Sequence, residues 1–285
     1  MPATEVALAT SIPPGMKRPG PGGAEAGAIW RQDCIASWPA PGWRILTVNP
    51  AEESASLANL PETIERRTAE PGVAEAYGRP GAWVGDALRQ AVATGAPVVG
   101  LVNADIRLDL DATRRAALAA EARQAMLACN RMDVQHAAQA EGAAYRYGYD
   151  LVLMPAAMAQ RIDLTGFAFG VPWWDYWIVL DALLRGLPVR AVRCDGIRHL
   201  AHKAAWNQPG WRRALRVLMA HLAPRRAALG ALGLGPVAEA VADLLLAIAS
   251  REEEGYPVAE MITVAGTRFG LEVVRLAERE ALRLD

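Results

Sequence analysis

The chain has 285 residues, 52% of them hydrophobic, and its 30 basic and 31 acidic side chains leave a formal charge of −1. That much apolar material supports a sizeable core and excludes the charged, core-poor composition of disorder. Near-neutrality also removes the electrostatic footprint of a nucleic-acid binder, so no nucleic acid is expected as a partner.

The opening MPATEVALATSIPPG has no basic leader and carries Glu5 among its apolar residues, so no targeting segment is read there. VAEAVADLLLAIAS is broken by Glu239 and Asp243 and falls short of the ~20 apolar residues of a membrane span. Cys34, Cys129 and Cys194 form no CxxC pair. A reducing, cytoplasmic setting is expected.

In chain order, EVALATSI reads as a first strand ended by Pro13 and Pro14. PPGMKRPGPGG is a loop, AEAGAIWRQDCIASW a helix and WRILTVNP a second strand. AEESASLANL is expected to be helical and GVAEAY a short third strand. AWVGDALRQAVATGA places Trp83, Ala87, Leu88, Ala91 and Val92 at helical spacing, with Gly95 as its stop. PVVGLVNADI is a fourth strand. Alternation of strand and helix predicts an α/β fold around a mostly parallel sheet, in which ligands bind beyond the carboxyl ends of the strands.

The middle of the chain predicts a helix over DATRRAALAAEARQA, capped by Asp111 or Thr113. Strands follow over AMLACNRMDV and GYDLVLMP, then a helix beginning WWDYW, then a strand and turn over VRAVRCDGIRHLAHK. After Asn207 the chain reads as three helices, with LGALGLGP between the first two.

Four segments carry candidate chemistry. Asn103-Ala104-Asp105 ends a strand: a carboxylate there can hold a divalent cation, or simply open a turn. His199 and His202 converge only if the chain turns between them; a Cys194/His199/His202 zinc site lacks a fourth ligand, and one surface histidine with one site histidine is the preferred reading. Asp175 sits among Trp173, Trp174, Tyr176 and Trp177, as a base beside sugar-binding rings or as an acidic residue in the first turn of a buried helix. Lys17 and Arg18 could meet phosphates, although MKRPGPGG is not a Walker sequence and a surface loop is the default reading. The basic positions Arg212, Arg213, Arg216, Arg225 and Arg226 suit the solvated face of a packing helix, with peripheral membrane contact left open.

Taken in order, ATSIPP, RQDCIASW, ILTVNPAEE, VGLVNADI, YGYDLVLMP, GVPWWDYW and HLAHKAAWN make Val6 to Asn207 resemble the GT-A-type nucleotide-sugar glycosyltransferases, with NADI as a variant of the DXD metal motif. The resemblance implies a Rossmann-like GT-A domain over 1–207 and leaves 208–285 as a helical C-terminal extension. It implies that Thr10, Ser11 and Ile12 line the nucleotide pocket, that Asn49 lies near the base, and that Asn103 and Asp105 stand at the DXD position. Asp105 would bind the metal, joined by His199 or His202. Asp175 would be the catalytic base or acceptor anchor, beside Trp173 and Trp174.

The function so implied is transfer of a sugar from a nucleotide-diphosphate-sugar to an acceptor hydroxyl, assisted by Mn2+ or Mg2+. Asn103 departs from the motif: an amide brings an oxygen but no charge, which weakens metal binding. A non-catalytic nucleotide- or glycan-binding scaffold is therefore the alternative, and a nucleotidyltransferase the third.

Overall fold

A computed structural model describes residues 4–18, 25–145, 147–202, 208–233, 236–253 and 259–283. Its main sheet has eight strands: β1 (Val6–Thr10), β2 (Trp43–Asn49), β3 (Ile64–Thr68), β4 (Val98–Val102), β6 (Met126–Cys129), β9 (Leu151–Pro155), β10 (Val189–Arg193) and β12 (Leu282–Arg283). They lie in the order β3-β2-β1-β4-β9-β6-β10-β12. Only β9 runs against its neighbours, β4 and β6. The expected mostly parallel α/β sheet is present.

Both faces of this sheet are covered, which is why its central strands read as continuous apolar runs. Along β1 the side chains alternate: Ala7 and Ala9 enter one apolar cluster, Val6 and Leu8 the other. Against the first face pack α2 (Val73–Tyr77), α3 (Val84–Val92), α5 (Ala156–Ala159), α6 (Trp174–Leu184) and the late helices α7 (Gln208–Leu222), α8 (Pro236–Glu253) and α9 (Ala259–Ala277). Against the second pack α1 (Gly27–Ser37) and α4 (Ala112–Ala122). The late helices thus share one apolar cluster with the sheet, and β12 joins its edge. Of the candidate membrane-facing arginines, Arg225 faces Asp181 and Arg226 binds Asp243, while Arg213 and Arg216 are exposed. Among the described residues no helix is long and apolar enough to cross a membrane.

A second, four-stranded sheet, β5-β11-β7-β8, stands beside the first. It comprises β5 (Ile106–Leu108), β7 (Met132–Val134), β8 (Ala143–Ala144) and β11 (Ile197–Leu200). β5 follows β4 after a three-residue turn, and β7 follows β6 almost directly, so the two sheets meet at these turns. This splits three expected strands: PVVGLVNADI, AMLACNRMDV and VRAVRCDGIRHLAHK each contribute to both sheets.

Two expectations are corrected. GVAEAY is a helical turn, α2, framed by Gly72 and Gly78 at φ +109° and +68°, and not a strand. The third strand is instead Ile64–Thr68, an edge strand whose residues after Ile64 are partly or fully exposed and mostly charged. AEESASLANL forms two short 3-10 turns, 51–53 and 55–57, instead of one helix, and Glu53 accepts from the Asn49 amide at 2.7 Å. Elsewhere the local signals hold. Gly95 takes φ +77° after α3, and Asp111, rather than Thr113, caps α4 by accepting from the Arg114 N–H at 2.8 Å.

Candidate metal and nucleotide site

In the main sheet the chain proceeds from β1 through β2 to β3 on one side, then returns to place β4 on the other side of β1. The carboxyl ends of β1 and β4 therefore flank the switch in strand order, where open α/β sheets leave a crevice. Thr10-Ser11-Ile12 leaves the end of β1, and Asn103-Ala104-Asp105 leaves the end of β4. The strand β4 ends on a carboxylate because the next residue, Ile106, starts the second sheet, which leaves Asp105 at the junction.

Two indoles fix that junction. Trp30 on α1 donates its Nε1–H to the Asp105 carbonyl at 2.8 Å, and Trp38 donates to the Ile106 carbonyl at 2.8 Å. Strand register brings the histidines. His199 on β11 pairs with Ile106 on one side and with Asp133 on the other, so its ring stands between the acids at 105 and 133. The chain leaves β11 after Leu200, and this turn aims His202 to the same place; the two imidazole centres are 4.8 Å apart.

Asp105 Oδ2 faces His199 Nε2 at 3.4 Å, His202 Nε2 at 3.3 Å and the Arg18 guanidinium at 2.7 Å. One ligating atom each from Asp105, His199 and His202 lies within 4.8 Å of the others. Cys194 is buried apart from this group, so the Cys194/His199/His202 zinc arrangement is not formed. On the far side of His199, Nδ1 meets Asp133 Oδ1 at 2.8 Å, the carboxylate support common behind metal-ligating histidines.

Burial alone would raise the Asp105 carboxyl, but its hydrogen bonds to His199 and His202, with the charge of Arg18, hold it well below the ordinary carboxylate range. Burial would lower His199, and its bonds to Asp105 and Asp133 raise it instead. One carboxylate and two imidazoles form a mixed oxygen–nitrogen donor set. Such a set fits Mn2+ better than Mg2+, which prefers oxygen alone.

A second carboxylate cluster adjoins. Asp133 binds Arg131 Nε at 2.8 Å, and Arg131 reaches both oxygens of Asp150 at 2.8 and 2.9 Å. Burial would lower the Arg131 guanidinium; Asp150 and Asp133 more than reverse it. Asn103 donates its Nδ2–H to Asp150 Oδ1 at 2.7 Å, and its backbone N–H to the Asp150 carbonyl at 2.9 Å. Asn103 thus buckles the end of β4 to the start of β9. An acid at this position would confront Asp150, which gives a physical reason for the amide.

Asp175, in the first turn of α6, accepts from the Tyr149 N–H at 3.3 Å and presses on Gly148, where an added Cβ would lie 2.3 Å from its Oδ2. Burial, then the charge of Asp150, lifts its carboxyl to about 7 against backbone N–H groups that favour the ion. Beside it the Tyr176 hydroxyl donates to the Tyr147 carbonyl, and the Tyr145 and Tyr147 rings meet edge to face at 5.5 Å. Tyr147 is 53% exposed.

The remaining expected site residues divide. Thr10 is fully buried, and its hydroxyl has no hydrogen-bond partner among the described residues. Ser11 is partly exposed, while the Ile12 side chain lies wholly in the core. Asn49 is a buried clamp: it accepts from Thr47 at 2.6 Å and donates to the Ile12 carbonyl at 2.9 Å and to Glu53. Its amide is spent on holding the segment after β1.

Trp173 and Trp174 are corrected: each is only 3% exposed, so neither offers a ring face to an acceptor. Trp173, at φ +86°, packs on Tyr176, Trp211 and Gly266; Trp174 packs on Phe169. Late helices cover the aromatic start of α6, and the exposed ring near Asp175 is Tyr147. Arg18 is corrected too, from a surface-loop residue to a partner of Asp105. Arg131, Asp133 and Asp150 had no local motif; only the polar endings of NRMDV and GYD, each next to a buried run, hinted at them.

No protein-family model matches the sequence, and no curated protein is recognisably similar to it. Solved structures are similar in fold. S. aureus TarS 1–349 in complex with UDP-GlcNAc superposes at a TM-score of 0.52 and 10% identity, covering 96% of this chain and 90% of that one. The fold is GT-A-like. At lower similarity stands the mannosyltransferase PcManGT from Pyrobaculum calidifontis in complex with GDP-Man and Mn2+, with a TM-score of 0.44, 14% identity, and coverage of 96% and 86%. The 4-diphosphocytidyl-2C-methyl-D-erythritol synthase from Anaerococcus prevotii follows at a TM-score of 0.37 and 9% identity, over 68% of this chain and 89% of that one. Within the GT-A-like fold, Asp105 occupies the turn after the strand that flanks the switch point.

Proposed function

We propose that the protein is a metal-assisted glycosyltransferase that moves a sugar from a nucleotide-diphosphate-sugar to an acceptor hydroxyl. The observation that carries this reading is the convergence of ligating atoms from Asp105, His199 and His202 within 4.8 Å, at the crevice where such a sheet takes a nucleotide. Asp105, His199 and His202 would hold a divalent cation, which when bound would stabilise negative charge on the departing nucleoside diphosphate. Mn2+ suits the donor set better than Mg2+.

The protein's own groups divide the remaining tasks. Trp30 and Asp133 hold Asp105 and His199 in place from behind. Ser11 edges the nucleotide side, with Asn49 donating to its hydroxyl at 3.4 Å and to the next carbonyl, of Ile12, at 2.9 Å; Thr10 lies buried behind it. Asp175, with a carboxyl near 7, takes the proton of the acceptor hydroxyl at neutral pH. Tyr147 offers the acceptor an aromatic face in place of the buried Trp173 and Trp174.

The test is donor hydrolysis across nucleotide-sugars with Mn2+ present, comparing the wild type with Asp105→Ala. Turnover by the wild type alone supports the reading; equal turnover by both contradicts it.

A second reading is favoured by one observation, the Arg18–Asp105 ion pair, which already neutralises the carboxylate. On that reading the domain binds a nucleotide or glycan without turning it over. Metal-independent nucleotide binding in calorimetry, with no hydrolysis of any donor, would select it.

A further inference from the structure

Arg18 and the cation would compete for one oxygen. Its Nη2 lies 2.7 Å from Asp105 Oδ2, the atom that also faces His199 and His202. A guanidinium and a divalent cation cannot share that oxygen at contact distance without direct like-charge repulsion. Moving one away as the other arrives relieves that repulsion.

The side chain is placed to leave while its backbone stays. The Arg18 N–H donates to Glu25 Oε1 at 2.7 Å, and the Arg18 carbonyl accepts from the Ala26 N–H at 3.0 Å. Gly27 lies so close beneath that an added Cβ would sit 2.7 Å from the Arg18 nitrogen. The guanidinium, in contrast, is incompletely bound: beyond Asp105 its Nη1 donates to the Lys17 carbonyl at 2.9 Å, and its Nε–H is buried with no partner among the described residues. A buried, unpaired donor is costly, and a multidentate oxygen acceptor would satisfy it.

We propose that Arg18 is an exchangeable counter-ion: it holds Asp105 in the metal-free protein and turns to the pyrophosphate group of the substrate once a divalent cation takes the carboxylate. This rests on the metal reading above. It makes Arg18 a substrate-binding residue whose planar fork suits phosphate oxygens, and it turns the Arg18–Asp105 pair from an argument against catalysis into its resting state.

The experiment uses Mn2+ alone, then inorganic pyrophosphate at saturating Mn2+, each titrated into the full chain by calorimetry. Wild type, Arg18→Ala, Arg18→Gln and Asp105→Ala are compared, with circular dichroism to verify folding. Removing the guanidinium is expected to tighten Mn2+ binding several-fold, on the order of the worth of a screened ion pair, and to weaken pyrophosphate about tenfold or more. The effects have opposite signs, which misfolding would not produce.

Mn2+ binding that depends on Asp105 but is unchanged or weakened without Arg18 overturns this inference and leaves the metal reading standing. So does pyrophosphate binding that ignores Arg18. Mn2+ bound equally well by Asp105→Ala removes the metal reading, and the inference with it.

Discussion

His199 bridges two carboxylates: its Nδ1 lies 2.8 Å from Asp133 and its Nε2 lies 3.4 Å from Asp105. This ring is held by β11, with Ile106 and Asp133 as its register partners on either side, so its orientation is a property of the second sheet. Asp133 fixes the ring from behind and leaves Nε2 to the site.

Asp133→Asn is accordingly expected to weaken Mn2+ binding by about 10- to 100-fold, the usual effect of losing a carboxylate behind a ligating histidine. Calorimetric titration checks this. A variant that binds Mn2+ as tightly as the wild type would show that His199 needs no such support.

Asn103 departs from the acidic position of the DXD motif, and its contacts account for this. Its Nδ2 donates to Asp150 at 2.7 Å. In Asn103→Asp a second carboxylate would replace that donor, so the variant is expected to lose about 1–3 kcal/mol of stability at pH 7. The loss should shrink as pH falls and a carboxylate takes up a proton. Urea unfolding at pH 7 and pH 4 measures it, and an unchanged midpoint at pH 7 would count against the buckle.

Asp175 has a carboxyl near 7, raised above the value it takes in an unfolded chain. As the proposed base it must be ionised, so transfer should rise with pH through about 7 and then level off. Asp175→Asn should abolish this limb and cost about 10²- to 10⁴-fold in rate. Linkage works in the other direction for stability. A raised folded-state value means that the native protein holds more protons between about 4 and 7, so stability declines as pH rises through that window. The Asn variant is therefore expected to melt higher than the wild type at pH 8 and to lose that advantage toward pH 4. A lower melting temperature at pH 8 would contradict the burial of the charge.

Much of the frame is written locally. β1, β2 and β4 are apolar runs because both faces of the sheet are covered, and Asp105 stands out because it ends one of them. β3 does not stand out, since an edge strand needs little apolar surface: Ile64 is buried and the rest of IERRT is partly or fully exposed. The second sheet is hidden for another reason. Its strands are two to four residues long, and they pair segments as distant as 106 and 199. Such pairing leaves no periodicity to read.

The candidate site divides along the same line. Asp105, His199 and His202 were legible as residue types able to hold a metal, and a turn after Leu200 makes them converge. Arg18 was legible as a possible phosphate contact but not as the partner of Asp105, 87 residues away, and Asp133 and Asp150 were not legible, because the contacts that tie them to the site, with His199 and Asn103, span 66 and 47 residues. The tryptophans at 173 and 174 misled because an aromatic pair beside a carboxylate looks alike whether covered or open; the late helices decide which.

The central claim is that Asp105, His199 and His202 together hold a divalent cation. Its most direct test is an electron paramagnetic resonance titration of free Mn2+ against wild type, Asp105→Ala and the double variant His199→Ala/His202→Ala. The wild type should remove about one equivalent of the free-Mn2+ signal, and both variants should leave it nearly undiminished at the same concentrations. A wild type that leaves the signal untouched, or variants that bind Mn2+ as well as it does, would contradict the claim.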